Sequence, residues 1–388
     1  MTTFDDLPTP PDADLERSHA LTQYIKDCIA GAAGRISFAT FMEHALYHPT
    51  LGYYQSKNME LGREGDFTTA PEISPLFGQC IARQCASILA TLNTPSLLEI
   101  GAGSGRLAHD LLQALAANHQ LPEHYYIYDI SLSLREKQRD FLQKTLSTDL
   151  FERVIWLDAL PINFTGVIIA NEVLDAMPVH CFQVKETVME RSVTWDGEQF
   201  AWQLNTPQTD AFDALQTRLH LAKDYASEVN LGLDAFLSSL SQTLQQGLIL
   251  LADYGYGERE YYHPQRSQGT LTCFYRHHHH ADPLRLVGLQ DITAHVDFTR
   301  VAECAFEQNL DVLGFTSQSS FLLSCGLIEI AAAQSNNLSE IEQFKLNQGI
   351  KLLTLPTEMG DRIKFLALGK GIDPHLLGFQ RQDRRRDL

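Results

Sequence analysis

The sequence predicts an α/β fold built on a Rossmann-like, mostly parallel sheet, and three observations lead there. Short apolar runs recur along the chain: LLEI (97–100), YYIYDI (125–130), RVIWLDAL (153–160), GVIIANEV (166–173) and GLILLADYGYG (247–257). Each is continuous and rich in Leu or β-branched residues, as in parallel strands covered on both faces. Each also ends in a polar residue, so the polar ends share one sheet edge, where open α/β sheets bind ligands. Finally, LLEIGAGSGR (97–106) passes from a strand through Gly101, Gly103 and Gly105 into a helix-like run, LAHDLLQALAA. Glycine allows the sharp turn and lets a ligand approach where a Cβ would clash.

The elements follow in order. Residues 1–15 read as a flexible lead. LERSHALTQYIKDCIAG (15–31) is an amphipathic helix stopped by glycine, and Ser37 caps a second helix, FATFMEHALYH, ended by Pro49. Residues 50–75 read as loop, and a helix over about 75–92 leads into the first strand. ETVMERSVTWDGEQFAWQL (186–204) is a β-hairpin turned at Asp196 and Gly197. A helical segment covers 208–246. VDFTRVAECAFEQN (296–309) is a crossover helix, DVLGFTSQ (311–318) a sixth strand, and IKFLALGKG (363–371) the final strand. The expected organisation is N-terminal helices and a lid loop over 1–75, and a core over 76–180 and 247–372. An inserted hairpin with helices spans 181–246, a helical insertion 319–360, and a tail 373–388. The tail's basic end, RQDRRRDL (381–388), reads as disordered.

The glycine turn is not a dinucleotide fingerprint. G-x-G-x-x-G needs glycine where this chain has Arg106, which disfavours a dehydrogenase. Glu99, two residues before the first glycine, would repel a pyrophosphate. It suits an ammonium and a sulfonium, so S-adenosylmethionine (SAM) is the expected cofactor; a tight βα turn without a ligand is the bland alternative. Asp129 ends the second strand, where a carboxylate accepts both ribose hydroxyls. Asp158 ends the third, within expected reach of the adenine amino group. Asn171 ends the fourth and joins the expected cofactor set. Glu172 and Asp175 follow in NEVLDAMP. Methyl transfer is an in-line displacement governed by positioning, so the deciding side chains belong at that strand end. Carboxylates there suit a guanidinium, whose forked donors they accept in pairs; helix capping and solvent exposure are the alternatives.

GDFTTAPEIS (65–74) reads as the lid, with Thr68 and Thr69 donating to the cofactor's carboxylate, Phe67 covering the site, and Asp66 a second acid for a cation; a pure packing role for the turn is the alternative. Tyr53 and Tyr54 either stack on a cationic ligand or serve as core aromatics. His295 and Asp297 stand two apart in DITAHVDF and share a face if extended. They form either a proton shuttle or a hydrogen bond that fixes a loop.

Composition narrows the class. The net charge of −18, from 30 basic and 48 acidic residues, speaks against nucleic acid and suits a cationic substrate. Seven scattered cysteines without a C-x-x-C pair indicate a reducing compartment and no zinc site. The N-terminus is neither a signal peptide nor an Arg-rich transit peptide. No run approaches the ~20 apolar residues of a membrane span. The expected location is cytoplasmic. Four consecutive histidines, His277–His280, invite a metal, but neighbours on an extended chain point to opposite faces. The stretch 273–285 therefore reads as a polar loop near the substrate mouth, with no metal.

GDFTTAPEISPLFG (65–78), LLEIGAGSGRLAHDLL (97–112), NEVLDAMPVHCFQ (171–183), SEVN (227–230), LLADYGYG (250–257) and DITAHVDF (291–298) occur in one order. In these blocks the chain resembles the MidA-type SAM-dependent methyltransferases over roughly residues 35–370. Mitochondrial members of that family are linked to assembly of respiratory complex I and are similar to protein arginine methyltransferases. The resemblance implies a class I methyltransferase sheet, mostly parallel with its last strand antiparallel, under an N-terminal helical cap and carrying inserted helical and β-hairpin segments. It implies methyl transfer from SAM to a protein, such as a respiratory-complex subunit, with an arginine guanidinium nitrogen as acceptor. Arginine methyltransferases of this fold class also place acids just after the fourth strand. The family's second-strand acid is usually Glu; Asp129 keeps the ribose role with a shorter reach. The alternative is a non-catalytic assembly factor that retains the fold.

Overall fold

Seven of the eight strands of the central sheet form one continuous path in the computed structural model, which describes residues 7–56, 68–207, 209, 211–335 and 338–388, and the eighth, Val296–Asp297, pairs off it. The seven are β1 (Ser96–Ile100), β2 (Tyr125–Tyr128), β3 (Val154–Leu157), β4 (Phe164–Asn171), β5 (Leu244–Tyr256), β6 (Asp311–Ser317) and β7 (Ile363–Lys370). Across the sheet they run β6-β7-β5-β4-β1-β2-β3. The first five pair in parallel. β7 inserts between β5 and β6, antiparallel to both, which is the class I methyltransferase arrangement expected from the sequence.

Alternation along each strand fills two cores. Leu97, Val167, Ile169 and Leu250 pack on one face with the helices α4 (Leu76–Leu89) and α5 (Arg106–Ala117). Leu98, Ile168, Ile249 and Leu251 pack on the other against helices Leu233–Thr243 and Phe298–Glu307. All five residues of β1 are buried. Each large apolar side chain so buried contributes about 1.5–3 kcal/mol relative to exposure. This double cover holds the strand ends, and the loops that leave them, in fixed register.

The N-terminal helices α1 (Asp12–Gly31) and α2 (Phe38–Tyr47) sit beside an inserted sheet. Ser37 caps α2 by accepting the Thr40 N–H at 3.1 Å. The inserted sheet holds His180–Val184, Val188–Trp195, Phe200–Asn205 and Ala226–Val229, and Arg35–Ser37 joins its edge. The cap and the insertion are therefore welded by backbone hydrogen bonds. The expected helical stretch 208–246 is broken by Ala226–Val229. That strand pairs with His180–Gln183, and its Glu228 is buried under hydrogen bonds from Thr270 and Tyr261.

Two further expectations are corrected. The stretch 273–285 is not a loop throughout. Thr272–Tyr275 and His278–His280 form a hairpin turned at Arg276 and His277, both at positive φ, and it pairs on with Asp291–Thr293. Strand alternation sets Cys273 opposite His280 and buries both. The tail is also ordered. The Arg384 amide donates to the Phe315 carbonyl (2.6 Å), and the Phe315 amide donates to Asp383 Oδ1 (3.3 Å). β6 is a sheet edge with free backbone groups, and the tail covers it. Among the described residues no helix is long and apolar enough to cross a membrane.

Candidate cofactor and substrate site

A cavity of about 450 Å³ opens at the carboxyl ends of β1, β2 and β4. Its floor is the turn after β1. Gly101, Gly103 and Gly105 have φ of +66°, +53° and +85°, which a side chain would strain. A Cβ on Gly101 would lie 2.9 Å from Val173 Cγ2, so the glycine also admits the neighbouring turn. α5 starts at Arg106, and the partial positive charge of its N-terminus favours a carboxylate. These features, with the acids described next, fit SAM.

Glu99 lines the cavity, is buried, and accepts the Tyr125 hydroxyl at 2.6 Å. Burial pushes its pKa up to about 7, against the lowering effect of Tyr125. Asp129 also lines the cavity. It accepts the Ser131 amide (2.9 Å) and the Gln138 side chain (2.8 Å), and burial raises its pKa. Thr69 and Asn171 stand in the wall.

Glu172 follows β4 at a left-handed φ of +52°, its amide bound to the Ala252 carbonyl at 2.8 Å. Its side chain lines the cavity, and Oε1 accepts the Ala70 amide (3.2 Å) and the Asn171 side chain (3.1 Å). Burial drives its pKa up to about 8, and the nearby carboxylates of Asp253 and Asp291 push it the same way. Asp175 is buried beside it, held above the carboxylate range by burial and then by Asp253, Glu172 and Asp291.

The sequence reading did not single out Asp253 or Asp291. Asp253 is fully buried, and its Oδ2 accepts the amides of Val173 (3.0 Å), Leu174 (2.8 Å) and Asp175 (3.3 Å). It therefore shapes the turn that presents Glu172. Asp291 accepts the hydroxyl of Tyr54 at 2.8 Å. The signal for Asp253 was present: it follows the run LILLA as Glu99 follows LL.

Other expected residues fall elsewhere. Asp158 has a 92 % exposed side chain, pairs with Arg135 at 2.8 Å, and does not line the cavity. Gly105 caps α5 behind the cavity wall. Thr68 is half-buried beside the lining residues, and Asp66 and Phe67 lie outside the described residues. Tyr53 is a core aromatic, whereas Tyr54 does line the cavity, where it stacks on Tyr47 with ring centres 5.3 Å apart.

His295 and Asp297 do not pair and do not reach this cavity. Asp297 caps the helix Phe298–Glu307 by accepting the Thr299 and Arg300 amides. His295 lies near Tyr254 and Tyr256, at 6.3 and 5.3 Å between ring centres. Both residues line a second cavity of about 270 Å³. Burial, then Arg266, Arg362 and Lys364, hold the His295 pKa down to about 4. A His–Asp proton shuttle at the methyl-transfer site is not formed, because the helix terminus takes the carboxylate. Among the described residues no three His, Cys, Asp or Glu side chains converge to hold a metal.

Comparison with known proteins bears on this site. A family model for S-adenosyl-L-methionine-dependent methyltransferases matches residues 80–316. The protein arginine methyltransferase NDUFAF7 homolog, mitochondrial, of Drosophila melanogaster is 30 % identical over 88 % of this chain and 83 % of its own length. The human mitochondrial protein arginine methyltransferase NDUFAF7 is 29 % identical over 87 % of this chain and 80 % of its own. A Burkholderia thailandensis crystal structure bound to S-adenosyl-homocysteine (SAH) superposes with a TM-score of 0.94. It is 38 % identical and covers 99 % of this chain and all of that one.

Proposed function

The chain belongs to the S-adenosyl-L-methionine-dependent methyltransferase family, and from that premise we propose that it methylates an arginine guanidinium nitrogen of a protein. SAM, when bound, supplies an electrophilic methyl carbon on a sulfonium. The residues that hold it in this reading are the glycine turn and the start of α5 for its methionine end, Glu99 for its ammonium and Asp129 for its ribose.

One observation carries the arginine reading. Glu172 is a half-buried carboxylate in the cavity wall with no Lys, Arg or His within ion-pair distance among the described residues. An anion largely withdrawn from water, with other acids close by and no counter-ion, is costly, and here the pKa is raised to about 8. A guanidinium would supply the missing charge and draw the pKa down. Both hydrogen bonds to Glu172 fall on Oε1, which leaves Oε2 for the substrate's N–H. An ionised Glu172 then holds the guanidinium charge away from the attacking nitrogen. The names of the Drosophila and human relatives support the same acceptor.

A protein is the partner class, and a respiratory-complex subunit is the specific partner suggested by the sequence resemblance. Seven free thiols support a cytoplasmic, reducing location. The Glu172→Gln substitution tests the reading. It keeps the shape and removes the charge, so SAH affinity should stay within about threefold while methyl transfer falls about 100-fold or more. A Glu172→Gln enzyme with full transfer activity would end the assignment.

A further inference from the structure

The short helix α3 (Ala70–Ile73) touches both halves of the site. At its start, the Ala70 amide donates to Glu172 Oε1 at 3.2 Å. Two residues on, Glu72 Oε1 accepts the hydroxyl of Ser104. Ser104 Oγ in turn accepts the Arg106 amide at 3.2 Å, so its hydroxyl is fixed within the glycine turn. Ser104 and Glu172 stand on different turns, one after β1 and one after β4, and both line the cavity. The far end of α3 is held too, since a Cβ on Gly349 would lie 3.0 Å from Ser74 Cβ. Glu172 keeps a left-handed backbone, and such strain persists only where its surroundings over-determine it.

We propose that Glu72 is a positioning residue for methyl transfer: through Ser104 it locks α3 to the cofactor turn, and α3 then delivers the Ala70 amide onto Glu172. The cofactor turn and the substrate acid are thus set by one piece of backbone. With Oε1 fixed by Ala70 and Asn171, Oε2 has a defined direction into the cavity. Loss of the Glu72–Ser104 bond frees α3, and Glu172 loses the amide that favours its charged form. Asp175, Asp253, Asp291 and Tyr254 face the same carboxylate, and with less hydrogen bonding their repulsion prevails. The proposal rests on Glu172 as the substrate acid.

The test compares Glu72→Ala, Glu72→Gln, Ser104→Ala and the Glu72→Ala/Ser104→Ala double variant in the full chain. Radiolabelled SAM is the donor, and a protein extract from cells lacking this enzyme is the acceptor. SAH affinity is read by calorimetry. Glu72→Ala and Ser104→Ala should each slow transfer about tenfold or more, the effect of losing a hydrogen bond to a charged group. The double variant should be no slower than either single, because both remove one bond. Glu72→Gln keeps an acceptor oxygen and should retain transfer within about threefold. SAH affinity should change far less than the rate, and the acid limb of the pH–rate profile should move up in Glu72→Ala. Failure of Gln to rescue, an unmoved pH limb, or a parallel loss of SAH affinity would overturn the proposal and identify Glu72 as a packing or cofactor residue. Glu72→Ala at full rate, with Glu172→Gln inactive, would overturn this proposal alone. Glu172→Gln at full rate would remove both readings.

Discussion

Gly101 and Gly105 offer a paired test of how the turn after β1 works. Both have left-handed φ, +66° and +85°, so an alanine at either pays about 1–2 kcal/mol of backbone strain. They differ in what the new methyl meets. On Gly105 the nearest atoms, from Gln138, Phe141 and Leu142, lie at 3.5 Å, ordinary contact. On Gly101 the methyl would sit 2.9 Å from Val173 Cγ2, and overpacking of that kind adds about 1–3 kcal/mol. Val173 also lines the cavity, so relief of the clash pushes its side chain into ligand space. Gly105→Ala should therefore lose about 1–2 kcal/mol of stability and bind SAH almost as wild type. Gly101→Ala should lose about 2–5 kcal/mol and bind SAH about tenfold more weakly or worse. Thermal melts and calorimetry with SAH measure both quantities. Equal losses of SAH affinity in the two variants, or wild-type affinity in Gly101→Ala, would refute the reasoning.

Other expectations follow from the same geometry. Asp129→Ala, in a variant whose fold is intact by circular dichroism, should weaken SAH binding by about 1–3 kcal/mol as measured by calorimetry. Glu99, Asp253, Asp297 and Glu172 have folded-state pKa values raised to about 7, 7, 7 and 8. Above roughly pH 5 the unfolded chain has released these protons while the folded state keeps them, so stability is lost as pH rises through 7–8. His295, lowered to about 4 from 6.5, acts only below 6.5, so the melting temperature of the ligand-free protein should fall from pH 6.5 to roughly 8.5. Removal of residues 381–388 uncovers the β6 edge and should lower the melting temperature, a loss of about 1–3 kcal/mol.

The core was legible because its strands carry a signal that no tertiary contact has to supply. LLEI, GVIIAN and GLILLA are continuous apolar runs, and only a doubly covered parallel sheet buries both faces of such strands. ASEV (226–229) carried no such signal. Its strand state depends on pairing with His180–Gln183 and on a buried glutamate whose donors come from Tyr261 and Thr270. The hairpin over 272–280 was hidden for a similar reason: Arg276 and His277 take the positive φ that glycine or asparagine usually supplies. At the site, acids at successive strand ends were readable by position. Their burial and their hydrogen bonds were not. Asp158 satisfied the positional rule, yet it lies in solvent, paired with Arg135. Asp253 obeys the same rule, and its role in tying down three amides of the 173–175 turn emerges only when β4 and β5 are set side by side. The His295–Asp297 spacing suggested a pair, but a helix N-terminus competes for the carboxylate, and a two-residue motif cannot reveal that competitor.

The identity of the methylated atom tests the central claim most directly. Purified protein, radiolabelled SAM and an extract from cells lacking the enzyme are incubated together, and the labelled protein is hydrolysed to amino acids and separated by chromatography. The account predicts label in methylarginine, absent when Glu172→Gln replaces the wild type. Label in methyl-lysine, in a base-labile carboxyl ester or in a small-molecule fraction would contradict it.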